Sequence, residues 1–176
     1  MTSWTIWFTG MHGAGKSTIA SKLAGHLIRE KIPFVIIDGD EARKFVSSDL
    51  GYSIEDRNEH MKRVAGICRI ISENGILAIA SVSSPTKKSR DYARKTLKKI
   101  FLVYVKCPAE VCRKRDVKGH YKKAGLVKKG FENFLGVSLK YEEPKNPDVI
   151  LKTDKETVQE SLNKLAKALK AKKALR

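Results

Sequence analysis

Residues Gly10 to Thr18 read GMHGAGKST, and the pattern of the chain changes across them. Trp4 to Thr9 is an apolar run of β type, whereas the stretch beginning near Lys16 has helical spacing. A GxxxxGKS string set between a strand and a helix is a phosphate-binding loop. Its glycines permit a tight turn in which successive backbone N–H groups, with a helix N-terminus behind them, point at phosphate oxygens. Gly10, Met11, His12, Gly13, Ala14, Gly15, Lys16, Ser17 and Thr18 are therefore expected to bind the phosphates of ATP. Lys16 supplies a point charge near the β- and γ-phosphates. The Ser17 hydroxyl suits a Mg²⁺ ion that enters with the ATP, its octahedral shell completed by water and an acidic residue.

Outward from this loop, strand-type and helix-type segments alternate. After the helix from about Lys16 to Glu30, Pro33 opens a second strand that runs through Ile37. A long helix is expected over about Glu55 to Asn74, a third strand over Ile76 to Val82 and a short basic helix near Lys88 to Lys98. A fourth strand covers Phe101 to Val105, and a helix starts beside Pro108. The pattern weakens from Asp116 to about Gly136. Val149 to Leu151 reads as a fifth strand, followed by a helix over about 155–175 whose expected cap is Asp154. Such alternation predicts an α/β fold, a five-stranded parallel sheet in three layers with helices on both faces. Residues 1–176 are expected to form one domain, with neither repeat nor linker.

Composition narrows the function classes. With 36 Lys+Arg against 19 Asp+Glu, the formal net charge is +17, which favours anionic ligands and keeps nucleic acid open as a partner. No apolar stretch approaches the roughly 20 residues that span a bilayer, and the N-terminus lacks a signal-peptide pattern, so a cytoplasmic protein without a membrane partner is expected. Cys68, Cys107 and Cys112 show no paired spacing and no histidine cluster, so neither a disulfide framework nor a zinc site is indicated.

The second strand ends in Ile37-Asp38-Gly39-Asp40. At the carboxyl edge of a parallel sheet, where ligands bind, residues two apart on an extended segment share a face. Asp38 is thus a candidate for holding Mg²⁺, through water, and Asp40 for the base that deprotonates an incoming hydroxyl. The competing structural role is an Asp-Gly turn with Asp40 capping a helix that begins at Glu41. Arg43 and Arg57 carry planar guanidinium groups suited to phosphate- or sulfate-type oxygens.

Six blocks now stand in order: FTGMHGAGKSTIA, IDGDEAR, DLGYSIEDRNEHMKR, SSPTKKSRDYAR, VYVKCPAEVCRKRDVKGHYKKA and YEEPKNPD. Together they resemble the adenylylsulfate kinase family over nearly all of the chain up to about residue 150. The resemblance implies an ATP- and Mg²⁺-dependent transfer to the ribose 3′-hydroxyl of adenosine 5′-phosphosulfate, releasing ADP. It implies catalytic roles for Lys16, Asp38 and Asp40, and acceptor binding by Asp40, Arg43 and Arg57. By the same resemblance Ser84 would be a phosphoserine intermediate, although a serine at a strand end also serves as a hydrogen bonder or cap. Arg115 and Lys118 would lie over the ATP on a mobile lid, about 113–136, that excludes water on closing. A homodimer is common in the family.

The departures from the family pattern fall on the acceptor side. His60 stands where asparagine is usual, Thr86-Lys87 replaces Tyr-Arg, and FLGVSLKYE, residues 134–142, replaces FTGIDDPYE. His60 and Lys87 are carried as acceptor contacts. So is Phe134, with Phe131 as the other aromatic that could stack on the adenine. His60 titrates near neutrality in water, which predicts acceptor affinity that varies between pH 6 and 8. Two competing readings remain at this point: a kinase of another small hydroxyl compound or nucleotide, and a nucleic-acid-associated P-loop protein.

Overall fold

A computed structural model describes residues 2–116, 119, 135 and 139–175. Of the expected lid, only 113–116, 119 and 135 belong to that set, and Lys118, Phe131 and Phe134 lie outside the described residues. The apolar run after Trp4 forms β1 (Thr5–Thr9), followed by α1 (Lys16–Arg29), β2 (Phe34–Asp38) and α2 (Gly39–Val46). Next come α3 (Ile54–Glu73), β3 (Leu77–Ser81), α4 (Lys87–Thr96), β4 (Ile100–Lys106) and α5 (Ala109–Arg115). The last elements are β5 (Val149–Lys152) and α6 (Val158–Ala171).

Among the described residues the strands form one parallel sheet in the order β2-β3-β1-β4-β5. Alternation along the strands divides the apolar side chains between two layers. Ile6, Phe8, Ile79 and Val103 pack with Ile19, Leu23 and Leu27 of α1 and Leu165 and Leu169 of α6. Trp7, Ala78, Ala80 and Leu102 face the opposite way, onto Met61, Val64 and Cys68 of α3 and Ala93 of α4. Trp7 sits level with Ala80 on β3, so a small residue accepts the flank of a large one. The sheet is therefore covered on both sides, the three-layer α/β arrangement expected. No helix among the described residues is long and apolar enough to cross a membrane.

Helix starts follow local chemistry. Ser53 and Asp56 form a reciprocal capping box that begins α3, and Thr157 and Glu160 form another at α6. Asp154 is thus not the cap expected for the last helix. The T-x-x-E string at 157–160 satisfies two backbone N–H groups at once, which a single aspartate three residues earlier does not. Asp40 is likewise not a cap. The Asp38 carboxylate accepts from the Asp40 backbone N–H at 2.9 Å, so α2 begins at Gly39 and Asp40 lies in its first turn.

Because β1 lies between β3 and β4, the chain leaves β1 toward β2 and later crosses back to β4. The crevice at the carboxyl ends of β1, β2 and β3 lies beside this reversal, the usual location of a ligand in an open α/β sheet. The glycine-rich turn, Asp38 and Ser81 all come to that edge.

Candidate active site

The loop between β1 and α1 has a shape that side chains would obstruct. Gly13 has φ 76°, and a Cβ there would lie 2.6 Å from the Cys112 carbonyl oxygen. A Cβ at Gly10 would lie 2.4 Å from the carbonyl oxygen of Val105. The loop is thus pressed against β4 and α5 with no room for a methyl group. Lys16 is buried, and its ammonium donates to the carbonyl oxygens of Gly10 at 2.9 Å and Met11 at 2.7 Å. Its charge is thereby held within the loop. Ser17 Oγ donates to Asp38 Oδ2 at 3.0 Å and lies 3.2 Å from Ser81 Oγ, which gathers three oxygen-bearing side chains beside the loop.

A cleft of about 1110 Å³ extends from this loop in two directions. Toward β5, its wall includes Arg115 and Thr153. Arg115 donates to the Thr153 carbonyl at 2.6 Å, and the Thr153 hydroxyl donates to the Ala14 carbonyl at 2.7 Å. These bonds tie the end of α5, the β5–α6 turn and the phosphate loop together. Toward β2, the cleft is lined by Asp38, Asp40, Arg43, Tyr52, Arg57 and His60. Asp38 and Asp40 are therefore brought to one cavity as expected, but not along one extended face. The chain turns into α2 after Asp38, and Asp40 reaches the cleft from the helix.

Arg43 donates to the Gly51 carbonyl at 2.7 Å, and Arg57 Nε to the Tyr52 carbonyl at 3.1 Å. Both guanidinium carbons lie near the Tyr52 ring, at 4.8 Å for Arg43 and 5.4 Å for Arg57. Arg57 is buried, and desolvation together with the charge of Arg43 lowers its pKa to about 10. It remains cationic at neutral pH. Two positive groups held this close favour an anion, which relieves their mutual repulsion.

Tyr52 is a cleft-lining residue that sequence reasoning missed. The residue is 59% exposed although its ring lies beside two arginines and it lines the cleft. The available signal was an aromatic residue directly before the Ser53–Asp56 capping box, where a core position was not expected. Ser81 and Thr153 were also missed. A serine ending an apolar strand and a threonine just beyond another have no distinctive pattern.

The remaining acceptor-side residues divide. Lys87 does not reach the cleft: it opens α4 as an exposed side chain and pairs with Asp91. Thr86 takes the inward position instead, capping α4 and donating to Asn58 Oδ1 at 2.5 Å. Ser84 is fully buried at φ 44°, with its Oγ 3.2 Å from Ser89 Oγ. Its carbonyl accepts from buried Arg90 at 2.7 Å and from Thr9 Oγ1 at 3.3 Å. Tyr141 joins this network through Thr9 at 2.8 Å, which links the YEE block to the SP block. His60 is also buried, its ring held between Gly39 and Ser47. Desolvation, then the charge of Arg43, lowers its pKa to about 4, so the expected titration between pH 6 and 8 is overturned.

With this geometry in view, the comparisons with known proteins are specific. The adenylylsulphate kinase family profile matches residues 2–152. The chain belongs to the adenylylsulfate kinase family. It is 45% identical over 170 residues to the adenylyl-sulfate kinase of Clostridium kluyveri, covering 95% of this chain and 83% of that one. The Halothermothrix orenii adenylyl-sulfate kinase is 42% identical over 168 residues, covering 96% and 90%. Among solved structures, the Mycobacterium tuberculosis APS kinase in complex with AMPPNP and APS superposes with a TM-score of 0.87 at 31% identity. That match covers 96% of this chain and 98% of the other. The expectation of an ATP-dependent adenylylsulfate kinase with a P-loop α/β fold is thereby borne out.

Proposed function

We propose that this kinase transfers the γ-phosphoryl group of ATP to the ribose 3′-hydroxyl of adenosine 5′-phosphosulfate with Asp40 as the base. The single observation that carries the assignment is the convergence of the phosphate loop, Asp38, Asp40 and the Arg43–Tyr52–Arg57 cluster on one cleft. The loop and Lys16 hold the triphosphate, with Arg115 and Thr153 at the far wall. The arginines receive the phosphosulfate, and the exposed Tyr52 ring offers a face on which the acceptor's adenine can stack. Asp40 takes the proton from the hydroxyl as the 3′-oxygen attacks phosphorus. The bond to the ADP oxygen breaks, leaving ADP and the 3′-phosphorylated acceptor.

The Ser17 hydroxyl, neighbouring Ser81 and the Asp38 carboxylate form an all-oxygen set that fits Mg²⁺ arriving with ATP, with Asp38 acting through water. Bound there, the ion would neutralise charge on the phosphates. Direct transfer needs no protein nucleophile. Buried Ser84 instead supplies its carbonyl to Arg90 and Thr9, and the SP segment is fixed by those bonds.

The test is to supply purified protein with ATP, Mg²⁺ and adenosine 5′-phosphosulfate and to identify the product by phosphorus NMR. The expected product carries a new 3′-phosphate. No product, under conditions where another alcohol or nucleotide is phosphorylated, would overturn the substrate assignment. Two accompanying parts of the proposal are a homodimer and a cytoplasmic setting. All three cysteines are free buried thiols, which supports a reducing environment. Sedimentation of the active enzyme at the mass of one chain would refute the dimer.

A further inference from the structure

Helix α2 carries Asp40 and Arg43, yet none of its residues is buried. An eight-residue helix does not hold itself together in water, so its position depends on ties to neighbouring elements. Gly39 lies close to the chain just beyond β3, where an added Cβ would be 3.1 Å from Val82 Cγ1. At the C-terminal end, Arg63 of α3 donates to the Val46 carbonyl at 2.8 Å and pairs with Asp49, but both partners are solvent-exposed. Exposed ion pairs contribute little. Ala42 packs against the apolar layer of Met61 and Val64, and His60 adds a buried polar tie.

His60, on α3, is 3% exposed, and both ring nitrogens have protein partners. Nε2 is 3.1 Å from the Gly39 carbonyl oxygen, and Nδ1 is 2.9 Å from Ser47 Oγ. A carbonyl only accepts, so Nε2 carries the proton and donates. In the neutral ring Nδ1 then accepts from the Ser47 hydroxyl. Gly39 is the first residue of α2, and Ser47 is its fully buried C-cap residue. One imidazole therefore joins both ends of the helix to α3.

We propose that His60 is a positioning residue that staples α2 to α3 and so fixes the placement of Asp40 and Arg43 against the acceptor. The inference rests on the assignment of Asp40 as base. It departs from the expected contact between His60 and acceptor, because the ring's two polar atoms are already committed to Gly39 and Ser47. The charged groups acting on the ring are Asp40 and Arg43 from α2 and Arg63 from its own helix. Burial and the two arginines outweigh Asp40 and favour the neutral ring that the two bonds require. Displacement of a catalytic group by about 1 Å can cost about 100-fold in rate, so such a tie has kinetic weight.

The experiment compares His60→Ala, His60→Gln and Ser47→Ala with wild type, using ATP and adenosine 5′-phosphosulfate at a temperature where circular dichroism shows each folded. His60→Ala is expected to lower kcat about 10- to 100-fold, with a smaller rise in acceptor KM through the displaced Arg43 and ATP affinity changed less than about threefold. Amide exchange over residues 39–47 should accelerate. His60→Gln, whose amide can still donate to the Gly39 carbonyl, should recover much of kcat, and Ser47→Ala should fall between wild type and His60→Ala. A raised acceptor KM with unchanged kcat would show that Asp40 keeps its place without His60 and would overturn the staple. Unaltered kcat and unaltered exchange would also overturn it. If His60→Ala does not fold, wild-type kcat in both other variants overturns the staple equally. Asp40→Ala, assayed in parallel, separates the two ideas: retained turnover there would defeat the base assignment, while exchange in the His60 variants still reports on the staple.

Discussion

The Arg43–Arg57 end of the cleft, proposed above to receive the acceptor, carries charges placed where burial opposes them. Arg57 is 7% exposed and has Arg43 nearby, so a bound anion gains more there than at a solvated arginine. Arg57→Ala is expected to raise acceptor KM at least about tenfold and leave ATP affinity within about twofold, as read by steady-state kinetics and equilibrium binding. Equal effects on both substrates would place Arg57 elsewhere. His60 gives a pH-dependent counterpart. Its folded pKa of about 4 lies below the unfolded value near 6.5. Between those values the unfolded chain binds more protons, so this contribution is complete above about pH 6.5 and declines as pH falls toward 4. In thermal melts the stability difference between wild type and His60→Gln should narrow over that window, by up to about 3 kcal/mol. A constant difference would show that His60 does not fold as a buried neutral ring.

At the level of elements, the site depends on how turns meet helices. The phosphate loop fits only without side chains at its closest approaches. Gly13→Ala combines a positive φ with a 2.6 Å clash against the backbone at Cys112, and the expected result is loss of ATP binding in calorimetry with the fold retained. ATP binding at wild-type strength would contradict the loop geometry. Much of this level was legible: GMHGAGKST, IDGD and the alternating periods placed the loop, the carboxylates and the sheet to within a residue or two. The T-x-x-E box at 157–160 was equally legible but was overlooked in favour of Asp154. What sequence did not disclose was direction. Whether Thr86 or Lys87 faces inward depends on Asn58, 28 residues away, and the His60 bonds reach Gly39 and Ser47 across a helix–helix contact. Local spacing cannot register such partners. Tyr52 escaped notice for a related reason, since its importance comes from two arginines that converge only in the fold.

The whole molecule carries a net charge of +17, while both substrates of its family's reaction are anions. A field of that sign accelerates encounter and is screened by salt, with a Debye length of about 10 Å at 0.1 M. Raising KCl from about 50 to 500 mM should therefore lower kcat/KM for the acceptor several-fold and change kcat less than twofold, because contacts within the bound complex are screened much less. Salt-independent kcat/KM would assign the excess lysines to the surface alone. The sheet order, the two apolar layers and the family match account for the phosphate loop, and the acceptor cluster gives the transfer its direction. On the proposed assignment, chemistry then rests on the Asp40 carboxylate in the first turn of α2. The most direct measurement is the single-turnover rate of Asp40→Ala with saturating ATP, Mg²⁺ and adenosine 5′-phosphosulfate. With Asp40 as the base, the rate should fall about 100-fold or more while ATP affinity is preserved; a wild-type rate would refute that role.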